Sequence, residues 1–163
     1  PFIAEDLGFI TPEVELLREQ FRRPGMKVLQ FAFGDTAANP YLLHNHVRNC
    51  VVYTGTHDND TARGWYASAD EKVRDHVRRY FGRDGSDIHW DLIRAALASV
   101  SRMAVVPIQD VLGLGSEARM NFPGKASGNW QWRVTGEQLA SADAARLRAL
   151  AGLYGRRTDG TME

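Results

Sequence analysis

The chain has 163 residues, enough for one domain with a real core. Its 20 basic and 20 acidic residues cancel, which leaves no electrostatic footprint for nucleic acid or an anionic membrane surface. Hydrophobic residues make up 44%, ordinary for a globular protein, and no apolar run is long enough to span a membrane.

The single cysteine, Cys50, excludes an internal disulfide framework and suits a reducing, cytoplasmic compartment. Beside Val51 and Val52 it reads as a buried, inert thiol. The first residue is not Met, and the chain opens inside an apolar run, as a piece of a longer polypeptide would.

Residues 1–4 read as the end of a buried strand, followed by a loop at Glu5–Ile10. Thr11-Pro12-Glu13 is a helix start: Thr caps, Pro suits the first helical position, and Glu13 and Glu15 face the positive end of the dipole. The predicted helix Pro12–Phe21 turns Val14, Leu17 and Phe21 to one face, and Arg22-Arg23-Pro24-Gly25 ends it. Met26–Phe33 reads as a second buried strand ending at Gly34-Asp35. The stretch Gly34–Asn49 is long enough for a crossover, and within it His44 and His46 read as a solvated loop or sugar contacts.

Cys50–Thr54 is a third strand. It leads into Thr54-Gly55-Thr56-His57-Asp58-Asn59-Asp60-Thr61, one polar burst carrying imidazole, carboxylate and amide groups. Helices are predicted over Thr61–Ala69, Asp70–Phe81 and His89–Ser101, the last with Trp90, Ile93, Leu97 and Val100 inward. Met103–Ile108 is a fourth strand, ending at Gln109-Asp110. A glycine-rich irregular stretch follows, then a helix over Gly136–Tyr154 and a loose tail.

Short, continuously apolar strands separated by helices indicate an α/β fold with a parallel sheet covered on both faces. Each predicted strand ends in polar groups: Glu5-Asp6, Asp35, His57-Asp58, Gln109-Asp110. Parallel sheets place their chemistry at that end, as the C-terminal face of a (β/α)₈ barrel does. Taken singly, each carboxylate could equally be a loop charge or a helix cap. Trp130 and Trp132 read as core packing ahead of sugar stacking. The pair His44/His46 lacks an obvious third partner for a metal, and Gly113/Gly115 lack the GK[ST] of a phosphate loop.

Three long motifs resemble one family: Ala4-Glu5-Asp6-Leu7-Gly8, Pro24-Gly25-Met26-Lys27-Val28-Leu29-Gln30-Phe31-Ala32-Phe33 and Tyr53-Thr54-Gly55-Thr56-His57-Asp58-Asn59-Asp60-Thr61. With Gln109–Gly115 and Met120–Gly124 they resemble the 4-α-glucanotransferases, or amylomaltases, over roughly residues 1–133. The resemblance implies the C-terminal half of a (β/α)₈ barrel, about strands 5–8, in residues 1–155, with a flexible tail at 156–163. It implies retaining transfer of α-1,4-glucan segments between maltooligosaccharides, with no metal and no cofactor. Glu5 matches the acid/base and Asp58 the carboxylate that holds the distorted sugar. His57 matches a residue that hydrogen-bonds the transferred sugar; Asp35, whose carboxylate can accept two sugar hydroxyls, and Asn121, on a Gly/Pro-shaped loop, read as sugar ligands or turn residues, and Asp6 reads as structural.

A retaining mechanism needs two carboxyl groups about 5–5.5 Å apart across the bond. The family's nucleophilic Asp lies upstream of the Glu5 strand, so no residue here takes that role by motif. The chain is therefore expected to need the N-terminal part of the barrel and to be inactive alone. An α-glucan hydrolase fragment and a non-catalytic carbohydrate-binding or structural module are the alternatives.

Overall fold

In the computed structural model, which describes residues 2–157, three short strands form one parallel sheet in the order β1-β2-β3. These are β1 (Gly25–Val28), β2 (Cys50–Tyr53) and β3 (Met103–Val105). Gly25 pairs with Cys50 and Val28 with Tyr53; Val51 pairs with Met103 and Tyr53 with Val105. All three strands thus point the same way, and the polar burst after Tyr53 leaves the C-terminal edge of the central one.

The helices are α1 (Pro12–Gln20), α2 (Ala62–Ser68), α3 (Glu71–Phe81), α4 (Ile88–Ala98), a single turn α5 (Ile108–Val111), α6 (Gly136–Ser141) and α7 (Ala144–Leu153). Local chemistry sets their ends. The Thr61 hydroxyl accepts from the Gly64 N–H to start α2, and the Asp70 carboxylate accepts from Val73 to start α3. Gly82, at φ 62°, ends α3 in the left-handed region that favours glycine. Thr135 and Gln138 form a capping box on α6.

The β2–β3 crossover carries α2, α3 and α4, which bury one core. Leu29, Phe33, Leu42, Val52, Ala62, Val77 and Leu92 meet there, and Phe33 lies against Trp65, Tyr80 and Phe81 at 5.5–6.0 Å between ring centres. Fully burying a side chain such as Val52 or Leu92 contributes about 1.5–3 kcal/mol. A second cluster joins α4 to α7 through Trp90, Ile93, Leu97 and Leu150.

Several sequence expectations shift. The predicted first strand is an extended segment without strand pairing, held by one Ala4 N–H to Pro24 carbonyl bond of 2.9 Å; Pro1 lies outside the described residues. Met26–Phe33 is a strand only to Val28, after which Leu29–Phe31 coils into a 3₁₀ turn that drops Leu29 into the core. Met103–Ile108 divides at Pro107, which opens α5. The long terminal helix is two, separated at Ala142-Asp143, where the Asp143 carboxylate caps α7.

The apolar face of α1 is not inward: Val14, Leu17 and Phe21 are 45%, 55% and 58% exposed, because no described element lies over them. Val100 falls beyond the end of α4 and is exposed. Nor is β3 covered on both faces, since Met103 and Val105 are exposed. Arg156, assigned to the loose tail, is anchored: its guanidinium donates to the carbonyls of Leu97, Ser99 and Ser101 and so closes the C-terminal end of α4. The rest of that tail, 158–163, lies outside the described residues.

His46 is buried rather than solvated. Its Nε2 donates to the Tyr41 carbonyl at 3.0 Å and its Nδ1 accepts from the Ser101 hydroxyl at 3.1 Å, which fixes a neutral tautomer. Burial pushes the imidazole below its usual range, as it also does for His89. A depressed histidine stabilises the fold fully above about pH 6.5 and loses that contribution as pH falls toward the folded-state value. Urea unfolding should therefore show a lower midpoint at pH 5 than at pH 7, and His46→Gln should shrink the difference without abolishing it, because His89 remains.

Candidate active site

At the C-terminal end of the sheet lies an open cavity of about 340 Å³. Glu5, His57 and Asp58 line it, over an apolar floor of Met26, Tyr53, Val105 and Pro107. Tyr53 and Val105 end β2 and β3, Met26 comes from within β1, and the extended N-terminal segment adds Glu5 and Leu7. Burial raises the Tyr53 phenol above its usual value, so this wall presents a neutral hydroxyl at physiological pH.

The turn that carries His57 and Asp58 is built from below. The Thr56 N–H and hydroxyl both donate to the Asn59 side-chain oxygen, at 2.9 and 2.8 Å. The Gln30 amide, in the 3₁₀ turn after β1, donates to the Asp60 carbonyl at 2.8 Å. A Cβ on Gly55 would lie 2.6 Å from that Gln30 nitrogen and would displace the amide from the Asp60 carbonyl. Asp60 accepts from the Ser116 hydroxyl at 2.6 Å and from its neighbour's N–H, which ties the turn to the later glycine-rich stretch. Thr61, not Asp58, caps α2, so Asp58 is free of a capping duty.

Asp58 is held from the side by a loop sixty residues away. The Asn121 amide donates to Asp58 Oδ1 at 2.6 Å, and His57 Nε2 lies 3.3 Å from the same oxygen. Arg119 donates to the Asp58 carbonyl at 2.7 Å and to the Asn121 carbonyl at 2.9 Å, and its guanidinium stacks on Phe122. The Asn121 N–H donates to the His57 carbonyl at 3.1 Å. Both side-chain contacts of Asp58 fall on Oδ1; Oδ2 accepts no hydrogen bond from the described residues. The carboxylate is thus fixed in rotation with one oxygen open.

Of the residues singled out by sequence, Glu5, His57 and Asp58 share the cavity, and Asn121 braces it. Asp35 is elsewhere: it is exposed and lines a separate depression with Lys72, His76 and Arg79 along α3. Asp6 turns away from Glu5 to pair with Arg18 and to accept from the Met26 N–H at 2.6 Å, the structural use expected of it. Gln109 and Asp110 are buried and bonded internally. Trp130, read as core, is 51% exposed and stacks on His57 at 5.1 Å between ring centres. Arg119 was not legible: an arginine in an irregular stretch carries no spacing signal, and only the fold brings it to Asp58.

A profile described as 4-alpha-glucanotransferase matches residues 1–139. The chain belongs to the 4-alpha-glucanotransferase family. The Thermus thermophilus 4-alpha-glucanotransferase is 53% identical over 159 residues, covering 93% of this chain and 32% of that protein. The Synechocystis enzyme is 52% identical over 96% of this chain and 32% of its own length. A solved amylomaltase from Streptococcus agalactiae, in complex with acarbose, superposes with a TM-score of 0.89 at 34% identity, over 94% of this chain and 31% of that one. The chain spans about a third of the length of the curated family relatives it matches. Among the described residues no helix is long and apolar enough to cross a membrane.

The bracing geometry makes a direct prediction. Arg119→Ala removes two hydrogen bonds and a cation–π contact, which should loosen residues 119–130 and the Asp58 turn together. Amide hydrogen exchange should speed up by roughly tenfold or more in both segments, at about 1.4 kcal/mol per decade, while α4 stays protected.

Proposed function

We propose that this chain is the C-terminal part of a (β/α)₈-barrel 4-α-glucanotransferase that transfers α-1,4-glucan segments between maltooligosaccharides. The extended segment 2–6 and β1, β2 and β3 would be its strands five to eight. Supporting this are the consecutive, all-parallel strand order and the gathering of polar groups at one end of the sheet. The exposed apolar residues of α1, with Phe2 74% and Phe9 97% exposed, are the surface that the earlier part of a barrel would cover. In this reading the barrel unit takes in residues 1–155.

The observation that carries the reading is the Glu5–Asp58 cavity, with Asp58 rigidly braced and one oxygen open. Glu5 would protonate the leaving glycosidic oxygen, then take a proton from the 4-hydroxyl of the acceptor glucan. Asp58 would bind two sugar hydroxyls through its open oxygen and hold the ring distorted toward the oxocarbenium ion, with His57 donating to the same ring. The covalent step needs a second carboxylate about 5–5.5 Å from Glu5. Asp58 is committed to holding the sugar ring through its open oxygen, and Asp6 is held by Arg18 and Met26. That nucleophile would come from the N-terminal part of the barrel, and Asp35 would reach a more distant sugar unit.

Two results test this. The 163-residue chain alone, incubated with maltotriose, should yield no longer glucans by chromatography; elongation would sink the reading. In the enzyme that carries this chain, Glu5→Gln and Asp58→Asn should each lower kcat by about 10³-fold or more. Glucose release with elongation, rather than reducing ends alone, separates transfer from hydrolysis.

A further inference from the structure

We propose that Trp130 is a stacking platform for one glucose unit of the bound glucan, placed beside Asp58 by a strained backbone. This rests on the function proposed above and adds a specificity-determining residue to it.

The first observation is conformational. Trp130 has φ 61°, inside the left-handed region. For a bulky residue this is a genuine outlier, one that persists only where the surroundings over-determine it, and such residues cluster at ligand clamps. Glycine stands two residues earlier at Gly128, so a turn residue was available and is not used at position 130. The Trp130 N–H donates to the Met120 carbonyl at 2.7 Å, and Asn129 accepts from Phe122 at 2.9 Å and donates to Lys125, which closes the loop that holds the tryptophan up.

The second observation is the ring itself. Indole is normally buried, yet Trp130 is 51% exposed in a polar loop. One face lies on His57, with the two rings inclined by 34°. Half exposure with one face covered leaves the other face open. Core packing needs neither the strain nor the exposure. A flat apolar face next to hydrogen-bonding groups is what a pyranose ring requires, since its axial C–H face stacks while its hydroxyls reach polar partners. His57 and Asp58 lie on the covered side and face the cavity, so they serve the neighbouring sugar, and the platform extends the cavity by one unit.

The test uses the whole enzyme with maltotriose and maltoheptaose. Trp130→Leu keeps apolar bulk without a ring face, and Trp130→Phe keeps a smaller one. Trp130→Leu should raise KM for maltoheptaose by roughly fivefold to tenfold, the size of one aromatic stacking contact, with kcat within about twofold; Trp130→Phe should recover most of the loss. Trp130→Gly relieves the backbone strain, and should raise KM as much as Leu does while leaving the thermal midpoint unchanged or higher. Unchanged KM in both the Leu and Gly variants would overturn the platform. So would a fall in kcat at constant KM, which would assign Trp130 to His57 alone. If Glu5→Gln retained full transfer activity, the parent reading would fail instead, whatever Trp130 does.

Discussion

The site depends on one buried carboxylate that never reaches it. Asp110 sits 1% exposed behind the C-terminal end of the sheet. Its Oδ2 accepts from the Thr54 hydroxyl, and its Oδ1 accepts from the Ala62 N–H at 2.7 Å. Thr54 ends β2, Ala62 opens α2, and Asp110 itself lies in the turn after β3. Three elements are therefore fixed to one group, and the seven residues between Thr54 and Ala62 are the turn that carries His57 and Asp58. Burial pushes the Asp110 carboxyl up, against the two donors that pull it down. Retaining an ionisable group there costs stability, which marks the clamp as serving geometry more than stability.

Around that clamp the turn is braced from three independent directions. Gln30 supports it from the turn after β1, Ser116 holds Asp60 from the glycine-rich stretch, and Asn121 with Arg119 holds Asp58 from the loop beyond. None of these partners is near the turn in sequence. A carboxylate whose rotation is fixed before any ligand arrives gains affinity, because the ordering is then not taken from binding. The same logic explains Gly55 and Gly64: a Cβ on either would meet Gln30, or Asp60 and Ser116, and push a brace aside.

How much of this could be read in the residues follows from how far each signal travels along the chain. Helix starts are local, so the starts of α1 at Thr11-Pro12, of α3 at Asp70 and of α6 at Gly136 were legible, although the Thr11 hydroxyl makes no capping bond. The apolar run of β2 and the polar burst after it were equally plain, and Glu5, His57 and Asp58 do meet in one cavity. Strand lengths were overestimated at β1 and β3 because an apolar run has the same appearance whether it stays extended or coils into a turn. His46 was misjudged because its partners, Ser101 and the Tyr41 carbonyl, are contributed by the fold and not by spacing. Trp130 was misjudged for a related reason: composition puts tryptophan in cores, and only the φ of its backbone says otherwise.

The exposed face of α1 and the braced turn at Asp58 show two sides of one division of labour. Residues that need partners outside the described structure are apolar and lie bare on α1 and on β3. Residues that must be correct before any partner arrives are satisfied internally: Asp58 by Asn121, Asp60 by Ser116, Asp110 by Thr54 and Ala62. Hydrophobic burial is non-directional and tolerates late docking of a second surface. Hydrogen-bonded carboxylates are directional and leave costly orphans when a partner is missing. A site built this way keeps its polar geometry within the chain, so the Asp58 turn is ordered before any further surface docks.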